Sequence, residues 1–361
     1  MFETQTPNPV SDTGPLLEKN SKNDVKAKVR ELTLHCDFYK EANNKKAIIQ
    51  VLNTLPPFFI VCALMLYSFQ TMYWLTLLLS PIAAGLLVRI FIIQHDCGHG
   101  SFFTKRVWNN RLGRVLSLLT WTPYDFWRKT HNLHHASSGN LDSRGYGSIE
   151  TVTVKEFAAM TSRQRFWYRV YRNPFVMMLA GTPLFILLVQ RVPLAEPFSF
   201  VEVAKKVSFS SIWKSVVGLN LALLLFYGTL SFVFGLGPVL MTYIPVVALT
   251  ALIGGWLFYI QHQFEDAHWE RGKDWDYHEA AVMGSSYYDL PKIFQWFSGN
   301  IGLHHIHHLN AKIPNYRLQE CLDAHPDLKT LNRITFWESL KYARLALWDE
   351  DKKKMVTFAA V

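Results

Sequence analysis

Nine of the fourteen histidines fall in three short runs: HDCGH (His95, His99), HNLHH (His131, His134, His135) and HHIHH (His304, His305, His307, His308). Side chains three and four apart on a helix share a face, so H-x-x-x-H and H-x-x-H-H each aim two or three imidazoles at one point. That is metal-ligand spacing. Four ligands saturate one zinc ion, and no H-E-x-x-H motif sets a glutamate base beside two histidines, so a mononuclear zinc hydrolase leaves half the rings unused. Eight or nine imidazoles imply two metal ions. Imidazole suits zinc, copper, iron and nickel alike, and the ligand type leaves the choice open.

The elements that must position these rings are apolar. No Lys or Arg occurs from Ala47 to Val88 or from Ser215 to Glu270, and each stretch is long enough for two membrane crossings. The hydropathy pattern predicts spans over about 47–69, 72–94, 212–235 and 239–261, paired as two tight hairpins, with Leu236, Gly237 and Pro238 turning the second. The expected fold is therefore all-α and membrane-embedded, with a helical cap that carries the histidines. Each hairpin crosses twice, so both termini and all three histidine runs share a side; nearly all Lys and Arg lie there, which marks it as cytosolic. A weaker apolar run, 174–190, would strand the third histidine run if it crossed, so it is expected to be interfacial or re-entrant, with Arg163, Arg165, Arg169 and Arg172 ahead of it among headgroups. Residues 1–28 are expected to be a polar, mobile tail and 29–361 a single membrane domain.

Several classes are disfavoured. The net charge of +9 comes without a basic stripe or zinc-finger spacing, which argues against nucleic acid and fits membrane-flanking cations. The four cysteines, Cys36, Cys62, Cys97 and Cys321, stand far apart, so neither a disulfide framework nor a thiolate metal site is indicated. The polar start MFETQTPNPV gives no expectation of a cleaved secretory signal. An ion transporter would line a path across the bilayer with ionisable groups, yet the four spans hold almost none. A two-metal, nitrogen-rich site where membrane helices end favours iron with oxygen, because the accessible substrate is hydrocarbon and C–H cleavage needs a strong oxidant.

At RIFIIQHDCGHGSFF (from Arg89), HNLHHASSGNLDSRG (from His131), YRNPF (from Tyr171), WLFYIQHQFEDAHWE (from Trp256), GSSYYDLPKIFQWFSGNIGLHHIHHLNAKIPNYRL (from Gly284) and LWDEDKKKMVTF (from Leu347), the chain resembles the membrane fatty-acid desaturases. Within them it is similar to the bacterial acyl-lipid type, including Bacillus phospholipid desaturases, from about Ile48 to Phe358. The resemblance implies an O2- and electron-dependent enzyme of the bacterial inner membrane, with two irons held by His95, His99, His131, His134, His135, His304, His307 and His308. His262, in YIQHQFE, resembles the extra ligand supplied outside the three runs, and His305 is left as a supporting residue. Asp96, Asp142, Glu265 and Asp266 are candidates to orient the ligand imidazoles. The product expected is a cis double bond in a membrane lipid, at omega-6 (delta-12) ahead of delta-5 or delta-9. A histidine-box hydroxylase or ketolase is the alternative. The third run opens on His rather than Gln, and His325-Pro326-Asp327 is not the haem-binding His-Pro-Gly-Gly of a fused cytochrome, which disfavours the front-end subclass. Electrons are then expected from a separate carrier such as a ferredoxin, docking on cations around Lys105, Arg106, Arg111 and Arg114.

Overall fold

The computed structural model describes residues 22–145, 147–194, 199–201 and 207–361. Helix α1 (Lys22–Asp37) buries Val29, Leu32 and Cys36 at helical spacing against Leu318, Cys321 and Leu322. Residues 22–28, expected in the polar tail, are thus the first turns of a packed helix; 1–21 lie outside the described residues. The first apolar stretch is two helices, α2 (Asn44–Leu52) and α3 (Leu55–Thr71), because Pro56 and Pro57 fit only the first turn of a new helix.

Helix α4 (Tyr73–His99) packs back on α3, and the Ser68 and Thr76 hydroxyls, 2.8 Å apart and buried, tie the turn between them. Its 27 residues reach about 40 Å at 1.5 Å each, against about 30 Å of hydrocarbon. The last turns, with His95 and His99, extend past the bilayer's length, and Gly100 ends the helix at φ +68°, a conformation that favours glycine. The chain continues through α5 (Arg106–Thr120) and α6 (Tyr124–Ser137), then β1 (Val152–Thr153), α7 (Val154–Ala159) and α8 (Ser162–Tyr171).

The next apolar segment, Pro174–Arg191, begins as α9 (Pro174–Val176), passes through a π turn at Met177–Gly181, and continues as α10 (Thr182–Leu187). Thr182 fills the notch left by Gly255, where a Cβ would stand 2.4 Å from its methyl. Both flanks of this segment meet Glu150. Arg172 donates to the Glu150 carbonyl at 2.8 Å, and Ser199 Oγ, Phe200 N and Val201 N donate to its carboxylate at 2.8–2.9 Å.

Helices α11 (Phe209–Phe234) and α12 (Leu236–Ile260) form the second hairpin, turned at Gly235 with φ +89°. Among the described residues five segments are long and apolar enough to span a membrane, one more than the four expected, the addition being Pro174–Arg191. Phe232 is 93% exposed and Leu224 and Leu225 more than 70%, an outward surface suited to hydrocarbon rather than water.

Five small helices complete the cap: α13 (Tyr277–Met283), α14 (Lys292–Phe297), α15 (His304–Leu309), α16 (Asn315–Asp323) and α17 (Phe336–Tyr342). The fold is not wholly α. Strand β1 pairs in parallel with β4 (Leu347–Asp349), which pairs antiparallel with β5 (Lys354–Val356), while β2 (Tyr287–Asp289) pairs in parallel with β3 (Arg333–Thr335). These strands are two or three residues long, too short to give an alternating pattern. Arg271 bonds Asp142, Glu156 and Glu350, and Arg144 also grips Glu156, fastening the loops around the cap.

Candidate metal centre

Nine imidazoles converge at the membrane-distal ends of α4 and α12, forming two groups whose ring nitrogens lie within 4.8 Å of one another. His95, His99, His131, His135 and His307 make the first; His134, His262, His304 and His308 make the second. The sequence reading has each run aimed at one point, whereas the second and third runs are divided. Residues four apart stand about 40° from each other around a helix and residues three apart about 60° the other way. His131 and His135 therefore face the first group while His134 faces the second, and His304 and His308 face the second while His307 faces the first. Helices α6 and α15 each serve both groups.

The internal geometry suits a cation. His262 Nε2 lies 3.1 Å from both His134 Nε2 and His304 Nε2, and His135 Nε2 lies 3.2 Å from His131 Nε2 and 3.0 Å from His307 Nε2. Nitrogens about 2.1 Å from one ion and at right angles stand about 3.0 Å apart. The Gly284 carbonyl, 2.9 Å from His262 Nδ1, can only accept, so Nδ1 carries the proton and Nε2 presents a lone pair. Burial pushes His262 down to about 4, so the ring is neutral and its single lone pair cannot bond both neighbouring rings. Burial, reinforced by neighbouring histidines, also holds His131, His134, His135, His304, His307 and His308 well below the usual histidine range. His99 Nε2 and His308 Nε2 are buried with no hydrogen-bond partner. Neutral, converging, unpartnered nitrogens are the state in which imidazole binds a metal.

The family behind this constellation follows from comparison with known proteins. A model of the fatty acid desaturase family matches residues 72–339. A "Fatty acid desaturase" of Bacillus subtilis (strain 168) is 41% identical over 334 residues, covering 92% of each chain. The chain belongs to the fatty acid desaturase family. Two more distant relatives are the "sn-1 acyl-lipid omega-3 desaturase (ferredoxin)" of Synechocystis, 26% identical over 72% of this chain and 67% of that one, and the "Acyl-lipid omega-3 desaturase (cytochrome b5), endoplasmic reticulum" of Arabidopsis thaliana, 30% identical over 65% and 59%.

The residues supporting the desaturase's imidazoles only partly match the sequence expectation. Asp96 meets the site: its Oδ1 lies 3.0 Å from His95 Nδ1, while Oδ2 accepts from Asn315 N and Nδ2 at 2.6 and 2.8 Å. Gln50 in turn donates to Asn315 Oδ1 at 2.8 Å. Asp142 is instead engaged by Arg271 and the Gly272 N–H, which hold its carboxyl below the usual range, and Glu265 pairs with Lys354 at the surface. Asp266 is exposed, near Tyr342. Sequence adjacency misleads for these three because their backbones turn the side chains outward. His305 points away from both groups, its Nε2 2.9 Å from the Leu328 carbonyl and its ring stacked on Tyr287.

Residues that the sequence does not single out pack against the two histidine groups. Trp127 stacks on His131 at 4.6 Å and meets Phe91 at 5.4 Å; Phe258 packs on His134 at 5.3 Å and His262 at 5.9 Å. Phe91 and Phe258 stand one helical turn before His95 and His262, on the membrane side. A cavity beside the second group is lined by Ser137, Ser148, Phe258, Tyr259, Gln263 and His268 among others.

Proposed function

We propose that this chain is an O2-dependent acyl-lipid desaturase that introduces a cis double bond into membrane lipids, with one iron in each histidine group. The observation that carries the reading is nine converging imidazoles, set where α4 and α12 end. In this reading His95, His99, His131, His135 and His307 hold one iron and His134, His262, His304 and His308 the other. When bound, the irons supply O2 activation and the oxidising power to take hydrogen from two adjacent methylenes.

The chain's own residues position. Asp96 and the Gly284 carbonyl keep the Nδ1 protons of His95 and His262 in place, so both rings present Nε2 in a fixed plane. Phe91, Trp127 and Phe258 stand between the apolar helices and the two groups, as walls against which an acyl chain from the membrane lies. The sequence favours omega-6 (delta-12), and the names of the cyanobacterial and plant relatives carry omega-3. Phe258→Ala is expected to widen the wall and spread the product over neighbouring bond positions.

The return of both flanks of Pro174–Arg191 to Glu150 supports a re-entrant segment, which keeps both termini and the site on the cytosolic face of a bacterial inner membrane. Electrons come from a separate small carrier of the kind named for the Synechocystis relative. The test is gas chromatography with mass spectrometry of fatty acids from a bacterial host expressing the chain, beside a His307→Ala control. A new unsaturated acid missing from the control supports the reading; a hydroxylated acid moves it to the oxygen-retaining branch.

A further inference from the structure

Of the four cations that the sequence offers for donor docking, two are otherwise engaged. Arg114 pairs with Asp125 at 2.8 Å, and Arg111 lies over the exposed ring of Trp108 at 5.1 Å. Lys105 and Arg106 remain exposed, and a residue from the other end of the chain joins them. Lys312, four residues after His308, donates its ammonium to the His99 carbonyl at 2.6 Å. Gly100 is the focus: a Cβ added there would stand 3.2 Å from an Arg106 guanidinium nitrogen and 3.9 Å from Lys312 Nζ. Among the described residues none of Lys105, Arg106 and Lys312 has a carboxylate partner; Asp37, which Asn310 brings near, is shared with Lys40.

This patch lies one hydrogen bond from the backbone of the first histidine group. Lys312 touches the backbone of His99, whose ring belongs to the first histidine group, so a few bonds separate the surface from a ring of that group. Other cap cations are differently placed. Arg144 and Arg271 are neutralised by Glu156, Asp142 and Glu350, and Arg163 and Arg165 come just before the exposed Phe166 and Trp167, as residues facing headgroups do.

Resting on the desaturase reading above, we infer that Lys105, Arg106 and Lys312 around Gly100 form the docking surface for an acidic one-electron carrier of the ferredoxin class. The carrier's carboxylates take the place of the missing counter-charges, and electrons reach the first histidine group by way of His99. Each docking oxidises one carrier and delivers one electron. Two electrons and two protons, with O2, convert –CH2–CH2– to –CH=CH– and two waters.

The test uses the full iron-loaded chain in nanodiscs and a plant-type [2Fe–2S] ferredoxin as the probe, with association followed by biolayer interferometry at low and high salt. Arg106→Glu and, separately, Lys105→Glu are each expected to slow association about tenfold or more, with binding by the unmodified chain lost at high salt. Arg163→Glu/Arg165→Glu is expected to bind normally. Iron content should be unchanged throughout, and single turnover driven by dithionite should give Arg106→Glu the product yield of the unmodified chain. Normal binding by both single variants, loss of binding only in the α8 double variant, or no binding by the unmodified chain at low salt overturns the docking surface. Failure of the unmodified chain to form a double bond with dithionite overturns the desaturase reading itself, and is seen independently of the binding data.

Discussion

The two histidine groups are built in different ways. The first takes all five of its rings from helices α4, α6 and α15 and is backed by a buried relay, Gln50 to Asn315 to Asp96 to His95. The second has four rings, one of them half-buried His262 on the turn after α12; it is backed there by a main-chain carbonyl and borders a cavity. If each group held one ion, the first would offer it five imidazoles and the second four. The difference casts the first group as the anchored side and the second as the side with room for reactants.

The largest effect separating them comes from removing one ring of each. His307→Ala and His304→Ala are both expected to abolish product, each lowering bound iron chiefly in its own group, as metal analysis and iron spectroscopy would show. Loss of both irons from either variant would break the comparison. Next in size are the supporting contacts, typically worth about 10- to 100-fold in metal affinity or activity. Asp96→Asn removes the carboxylate behind His95 and should weaken the first group by that order. The second group has no side chain to remove at Gly284, but a Cβ there would lie 2.5 Å from the Ala280 carbonyl, so Gly284→Ala must displace the carbonyl that orients His262. That variant should release iron from the second group first, measured as iron per chain during chelator titration.

The smallest effect concerns the cap that holds both groups in register. Burial works to raise the Glu156 carboxyl, but Arg144 and the Thr153 N–H outweigh it and hold it at about 2, against an ordinary value of 4.5. A depressed carboxylate contributes stability that is full above the unfolded value and is lost as pH falls from 4.5 toward 2. Melting temperature in detergent should therefore fall more steeply over that window for the unmodified chain than for Glu156→Gln. Parallel curves would remove Glu156 from the account.

The sequence makes the chemistry legible and leaves its arrangement hidden. Histidine spacing names the rings of the three runs, since i, i+3 and i+4 relations are local, whereas His262 is singled out by the family resemblance of YIQHQFE. The same angular arithmetic contains the division of HNLHH and HHIHH between two groups, but only a second facing helix reveals that both sides are used. Asp96 is distinguished from Asp142, Glu265 and Asp266 by tertiary placement alone, and Asn315, Gln50 and Lys312 reach the site through contacts more than 200 residues apart in the chain. Helix α1 carries its apolar stripe, Val29, Leu32 and Cys36, within a strongly polar segment, and composition masks it.

The most direct test of the two-group account is metal analysis of the purified full-length protein reconstituted anaerobically with ferrous iron. The account requires two irons per chain, with His304→Ala retaining one. A single iron in the unmodified chain, or two irons undisturbed by His304→Ala, would contradict it.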